Sequence, residues 1–149
     1  MSRPLREEIA YWKFLDSWTG HVCWRSERHA LFSLESDASG SGWGGVIHLY
    51  DKDVIVRDYW SLEDLSLNIS TKETLAVVRL LEVAPPQVKD CRINLNTDSQ
   101  VLIDTWHREG SRSHELSDAT KALFTTVCQR NLHLQLFHVS SDENAADGP

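Results

Sequence analysis

The chain is poor in cysteine. Its 149 residues hold three, Cys23, Cys91 and Cys128, an odd number with no CxxC spacing. That excludes a disulfide framework and a zinc site of the ribbon or finger kind, and makes a reducing, intracellular compartment the expectation. Long apolar runs are missing as well: none approaches the roughly 18 residues of a membrane-spanning helix. The opening MSRPLREEIAYWKF is charged throughout, so no secretory signal peptide is expected. Basic charge is the third scarcity. Fifteen Lys and Arg against 22 Asp and Glu leave a net charge of −7, and no basic run offers the patch by which an isolated domain grips a polyanion. Composition alone speaks against strong autonomous binding to nucleic acid. Internal repeats and low-complexity segments are absent too.

What remains is one domain's worth of chain, long enough to bury a core. Residues 4–18 place Leu5, Ile9, Trp12 and Leu15 at helical spacing behind Pro4, which predicts a short amphipathic helix leading into the domain. From Ala30 the pattern changes to β. ALFSLESD, WGGVIHLY and VIVRDYW are three strand candidates, the last two joined by the tight Asp51-Lys52-Asp53 turn as an antiparallel hairpin. ISTKETLAVVRLLEVA has helical periodicity and runs into Pro85-Pro86. RINLNTD alternates, with Ile93, Leu95 and Thr97 on one face. A short helix over Gln100–Trp106 is broken by Gly110. Ser113 can cap a longer helix with Leu116, Ala119, Leu123 and Val127 inward. LHLQLFH is a last strand, and SSDENAADGP opens a helix that stops at Pro149. Strands alternating with helices after an initial meander predict an α/β fold, a mixed sheet covered by helices.

Four carboxylates stand at unusual places. Asp37 ends the first strand, Asp98 ends the fourth, Asp147 sits where the last helix begins, and Glu73 lies in the middle helix. Taking Ala76, Val77, Leu80 and Ala84 as the inward stripe of that helix, Glu73 falls three and four residues before its first members and points at the sheet. A charge there is costly unless paired or bound to a cation. Glu73 has a second reading: STKE fits a capping box with Ser70 as N-cap. Asp37 and Asp98 taken singly are ordinary turn and cap residues. Together, the four can meet at one edge of a sheet. Such a cluster needs cations, and with no His or Cys beside Asp37, Glu73 or Asp98, hard Mg²⁺ or Mn²⁺ fits best. Two such ions suit in-line phosphoryl displacement, hence phosphodiester hydrolysis.

SDASGSGWGGVI, ISTKETLAVVRLL, LNTDSQVLIDTW and HVSSDENAADGP together resemble the ribonuclease H domain of retroelement reverse transcriptases, in the DIRS-like, retroviral-type version. The resemblance covers nearly the whole chain, with Ser36 where the first motif usually has Thr. It implies a five-stranded mixed sheet, its first three strands antiparallel, flanked by helices over residues 29–149. Residues 1–28 would form a helical connector to an upstream polymerase domain of the same polyprotein. It further implies hydrolysis of the RNA strand of RNA/DNA hybrids with two Mg²⁺ or Mn²⁺ ions held by Asp37, Glu73, Asp98 and Asp147. Ser39, Gly40, Gly42, Ser99, Asn144 and His138 would be substrate contacts, with the backbone amides around Ser39–Gly42 set against ribose 2′-hydroxyls. For His138, a strand-end ring packed locally stands as an equal alternative. The implied location is a cytoplasmic particle or the nucleus, with no membrane partner. The competing function is a catalytically silent module of the same fold that positions nucleic acid or a polymerase. Most of the six tryptophans are expected in packing rather than base stacking.

Overall fold

The computed structural model describes residues 7, 8, 10, 30–108 and 113–140. Glu7, Glu8 and Ala10 are helical. The rest of the expected helix over residues 4–18, the connector to residue 28, and the helix opening after residue 140 lie outside the described residues, as do Asn144 and Asp147.

The elements run β1 (Leu31–Ala38), β2 (Gly42–His48), β3 (Asp53–Tyr59), α1 (Ile69–Glu82), β4 (Cys91–Thr97), α2 (Gln100–Arg108), α3 (His114–Gln129) and β5 (Leu132–His138). They form one five-stranded sheet in the order β3-β2-β1-β4-β5. β1 pairs antiparallel with β2, and β2 with β3, whereas β4 lies parallel to both β1 and β5. This is the mixed sheet the sequence predicts. The hairpin is closed by the Leu49 amide on the Lys52 carbonyl at 2.9 Å. The two parallel pairs need crossovers, which α1 and α3 supply.

Alternation sorts β1, β4 and β5 into two faces. Phe32 and Leu34 of β1, Ile93 and Leu95 of β4, and Leu132, Leu134 and Leu136 of β5 are buried on one of them. There they share a core with Ala76, Val77, Leu80 and Leu81 of α1 and with Leu123 and Val127 of α3. Gly45 lets α1 settle onto β2: a Cβ at that position would lie 2.5 Å from Leu80 Cδ2 and 2.7 Å from the Glu35 carbonyl oxygen. The other face is mixed, with Ser33, Glu35, Asn94 and Asn96 beside Val46, Ile55 and Phe137. On it His48 bridges two acids, with Nδ1 2.8 Å from Asp53 Oδ1 and Nε2 3.2 Å from Glu35 Oε2.

α3 begins where Ser113 accepts the Leu116 amide, as its sequence predicts. It ends at Arg130, whose guanidinium donates to the carbonyls of Glu82, Ala84, Pro85 and Val88. One side chain thus joins the C-termini of α1 and α3 and takes up carbonyls that a helix end leaves without partners. Trp43 and Trp60 are buried, and Trp106 packs against the core. The tryptophans among the described residues are therefore packing residues, as expected.

Candidate active site

β1 and β4 run side by side in register, with Glu35 opposite Asn96. The pairing ends there, and Asp37 and Asp98 each follow two residues on, at the C-terminal ends of adjacent parallel strands and both half-buried. Chain ends of parallel strands on an α/β sheet are where crossovers leave room for a ligand. Across β1, Asp37 is opposite Gly44 of β2, and Gly44 is opposite Arg57 of β3, whose Cγ would lie 3.4 Å from a Cβ at Gly44.

Glu73 enters from α1. The capping-box reading of STKE is overturned here: the N-cap of α1 is Asn68, in extended conformation, whose side chain accepts the Thr71 amide at 2.9 Å. Ser70 is a helical residue, and Glu73 lies beyond the first turn with no cap to serve. The Ser99 hydroxyl donates to its carboxylate, and Asp98 lies close enough for its charge to be felt. Burial raises the pKa of Glu73 above its ordinary value, and the Asp98 charge adds to that; the Ser99 hydrogen bond works in the opposite sense. An acid whose ionised form is disfavoured by burial and a like charge is a group to which a cation would be welcome.

Ser99 is buried, and its position differs from that of a substrate contact. Its hydroxyl accepts the Leu102 amide at 3.1 Å, capping α2, while serving Glu73. Its own amide donates to Thr97 Oγ1 at 3.1 Å. Ser99 thereby locks the start of α2 to the carboxyl from α1. His138 is exposed at the end of β5, opposite Thr97, so the alternative of a ring packed into the strand end does not hold.

The turn between β1 and β2 is built around Ser39. Its amide donates to the Gly42 carbonyl at 2.8 Å, and its Oγ accepts the Gly42 amide at 3.1 Å. Gly42 has to be glycine, since a Cβ there would lie 2.7 Å from the Asp58 carbonyl oxygen. Gly40 is different: a Cβ would meet nothing within 4 Å. Both glycines sit where the motif expects a close approach, but one faces β3 and the other faces solvent.

Sequence reasoning missed Lys72. It is 4% exposed, and its Nζ donates to the Gly40 carbonyl at 2.8 Å and to the Leu65 carbonyl at 2.9 Å. The available signal was its spacing, four residues before Ala76 and eight before Leu80, which puts it on the inward stripe of α1.

The donor set consists of carboxylate oxygens from β1, α1 and the end of β4, which in kind suits a hard divalent cation. Among the described residues, however, no group of three or more His, Cys, Asp or Glu side chains stands ready to hold a metal ion. Glu73 feels the charge of Asp98, and Asp37 stands at the adjoining strand end. Carboxylates repel one another without a counter-ion between them. Among the described residues no helix is long and apolar enough to cross a membrane.

No family model matches the chain, and no curated protein matches it. Solved structures do. The RNase H1 of the halophilic archaeon Halobacterium salinarum NRC-1 is 18% identical with a TM-score of 0.62, covering 78% of this chain and 91% of that one. LC11-RNase H1, solved in complex with an RNA/DNA hybrid, is 16% identical with a TM-score of 0.62, covering 77% and 88%. The N-terminal RNase H domain of a Mycobacterium tuberculosis protein, solved as a fusion with maltose-binding protein, is 13% identical with a TM-score of 0.61, covering 78% and 92%. The chain therefore has the RNase H-like fold.

Proposed function

We propose that this chain is a divalent-metal-dependent ribonuclease H that hydrolyses the RNA strand of RNA/DNA hybrids. The observation that carries the reading is the placement of Asp37 and Asp98 at adjoining parallel strand ends, with Glu73 brought to Asp98 from α1. The likeness to RNase H1 structures, one of them holding a hybrid, supports the choice of substrate. The sequence motifs support the finer context, a retroelement reverse transcriptase in which residues 1–28 connect to a polymerase domain. In that context the polymerase supplies most of the grip on the hybrid, in keeping with a net charge of −7. The cytoplasmic particle or nucleus follows from the same context.

In this reading Asp37, Glu73 and Asp98 hold two Mg²⁺ or Mn²⁺ ions, joined by Asp147 from outside the described residues. Bound, the ions would supply stabilisation of the charge that develops on the phosphate during in-line displacement. The protein's own residues do the placing. Ser99 fixes the Glu73 carboxyl by hydrogen bond, and the Ser39–Gly42 turn sets backbone donors beside Asp37 for the ribose side of the hybrid. Asn144 and the exposed His138 complete the substrate side.

The absence of a ready three-carboxylate group among the described residues favours a second reading, a catalytically silent module that positions nucleic acid. One experiment separates the two. A hybrid labelled on its RNA strand is incubated with the chain in Mg²⁺ or Mn²⁺, beside Asp98→Asn and a duplex DNA control. Cleavage of the RNA strand alone, lost in Asp98→Asn, is expected. Intact RNA with both metals removes the catalytic reading and leaves the positioning module.

A further inference from the structure

We propose that Lys72 and Trp60 are positioning residues that hold the Ser39–Ser41 turn with its amides facing outward, as the donor set for acceptor oxygens on a nucleic-acid strand. The inference rests on the hybrid reading above and adds to it the device that aims the turn.

All three carbonyls of this exposed turn are taken from within the protein. The Trp60 indole Nε1 donates to the Ser39 carbonyl at 2.9 Å, the Lys72 ammonium to the Gly40 carbonyl at 2.8 Å, and the Trp60 amide to the Ser41 carbonyl at 3.0 Å. A peptide unit is planar and trans, so the amide of the next residue points away from each pinned carbonyl. The amides of Gly40 and Ser41 are thereby directed away from Lys72 and Trp60. Neither has an acceptor among the described residues. The third amide, that of Gly42, is retained by Ser39 Oγ at 3.1 Å. Two successive outward N–H groups form a small concavity that suits an oxygen acceptor. The open space at Gly40 lets a strand come close.

Lys72 is well suited to this task. A buried ammonium must be hydrogen-bonded, and its two partners lie on different loops, at Gly40 before β2 and Leu65 before α1. It therefore fixes the turn to the same helix that carries Glu73. Trp60 holds the turn from the end of β3. With either anchor lost, peptide units of the turn are free to rotate and the amides lose their common direction.

The test uses Lys72→Met, Lys72→Arg and Trp60→Phe in the whole chain, the last keeping the buried ring and losing only the indole donor. For the hybrid, Lys72→Met and Trp60→Phe are expected to raise KM about tenfold with kcat within about twofold of wild type, since an interaction made equally in ground and transition states is removed. Lys72→Arg should recover most of the loss. Backbone ¹⁵N relaxation should show Gly40 and Ser41 more mobile in both variants with α1 unaltered. A hybrid carrying 2′-deoxy positions in its RNA strand distinguishes ribose oxygens from phosphate oxygens: an unchanged penalty assigns the amides to phosphate, a vanished one to the 2′-hydroxyl. Variants that melt lower but keep both the wild-type KM and the wild-type order of Gly40 and Ser41 overturn the proposal. If wild-type protein neither binds nor cleaves hybrid, the ribonuclease reading falls, while the relaxation data still judge the clamp.

Discussion

The carboxyl of Glu73 takes the Ser99 hydroxyl on one side and meets the charge of Asp98 on the other. A helix acid, a strand-end acid and the cap of α2 thus influence one another at the end of β4, where neither carboxylate gains from the other.

Glu73 consequently lowers stability when ionised. Burial first, and Asp98 after it, raise its folded pKa above the ordinary 4.5. The folded state therefore holds the proton over a range in which the unfolded chain has released it, and stability falls as pH rises through that range. Glu73→Gln should melt higher than wild type at pH 7, the gain fading towards zero below pH 4.5, while hybrid cleavage is abolished. Thermal melts across a pH series check the sign; a variant less stable than wild type at pH 7 would contradict it.

His48 should behave in the opposite way. Burial lowers its pKa, but the hydrogen bonds and charges of Asp53 and Glu35 outweigh that and leave it raised above 6.5. The bridge then contributes fully below pH 6.5 and is lost as pH climbs through the higher folded value. The difference in melting temperature between wild type and His48→Ala is expected to be largest under acidic conditions and to shrink above neutrality. A flat difference across pH would mean that the ring acts by packing alone.

Two glycines in one turn make a paired prediction. Gly42→Ala forces a Cβ to within 2.7 Å of the Asp58 carbonyl, an overlap expected to cost about 1–3 kcal/mol in denaturant unfolding. Gly40→Ala has open space and should stay within about 0.5 kcal/mol of wild type. Its methyl stands where a strand would approach the amides, so KM for hybrid should rise roughly fivefold or more. Equal effects of the two on stability would show that the turn is not built as described.

Much of this was legible in local pattern. The alternation of RINLNTD gave β4 and its buried face, Ser113 gave the start of α3, and Asp51-Lys52-Asp53 gave the hairpin. Each is decided by neighbours within a few residues. The helical stretch was legible from Ile69, where α1 begins; only the capping-box reading with Ser70 as N-cap fails, because Asn68 and Ser70 are both good caps and the choice depends on how the preceding loop arrives. Lys72 escaped because a lysine in a helix is ordinarily solvated, and its acceptors at Gly40 and Leu65 come together only in the tertiary structure. Arg130 escaped for the same reason, with its four carbonyls lying more than forty residues back. The candidate acids were visible as strand and helix ends, but their approach to one another depends on the parallel register of β1 and β4, which no local signal encodes.

That register also bears on the order in which the molecule comes together. β1, β2 and β3 are contiguous and close through short turns, so the meander can form early, whereas β4 reaches β1 only after α1 has been laid across the sheet. Pairings of such long sequence separation are slow to form. Until β4 docks, β1 is an edge strand open to foreign chains, and Asp98 has not yet met Asp37. A nascent chain of this protein is therefore most prone to aggregate while its candidate site is still incomplete, and arrival of β4 ends both conditions in one event.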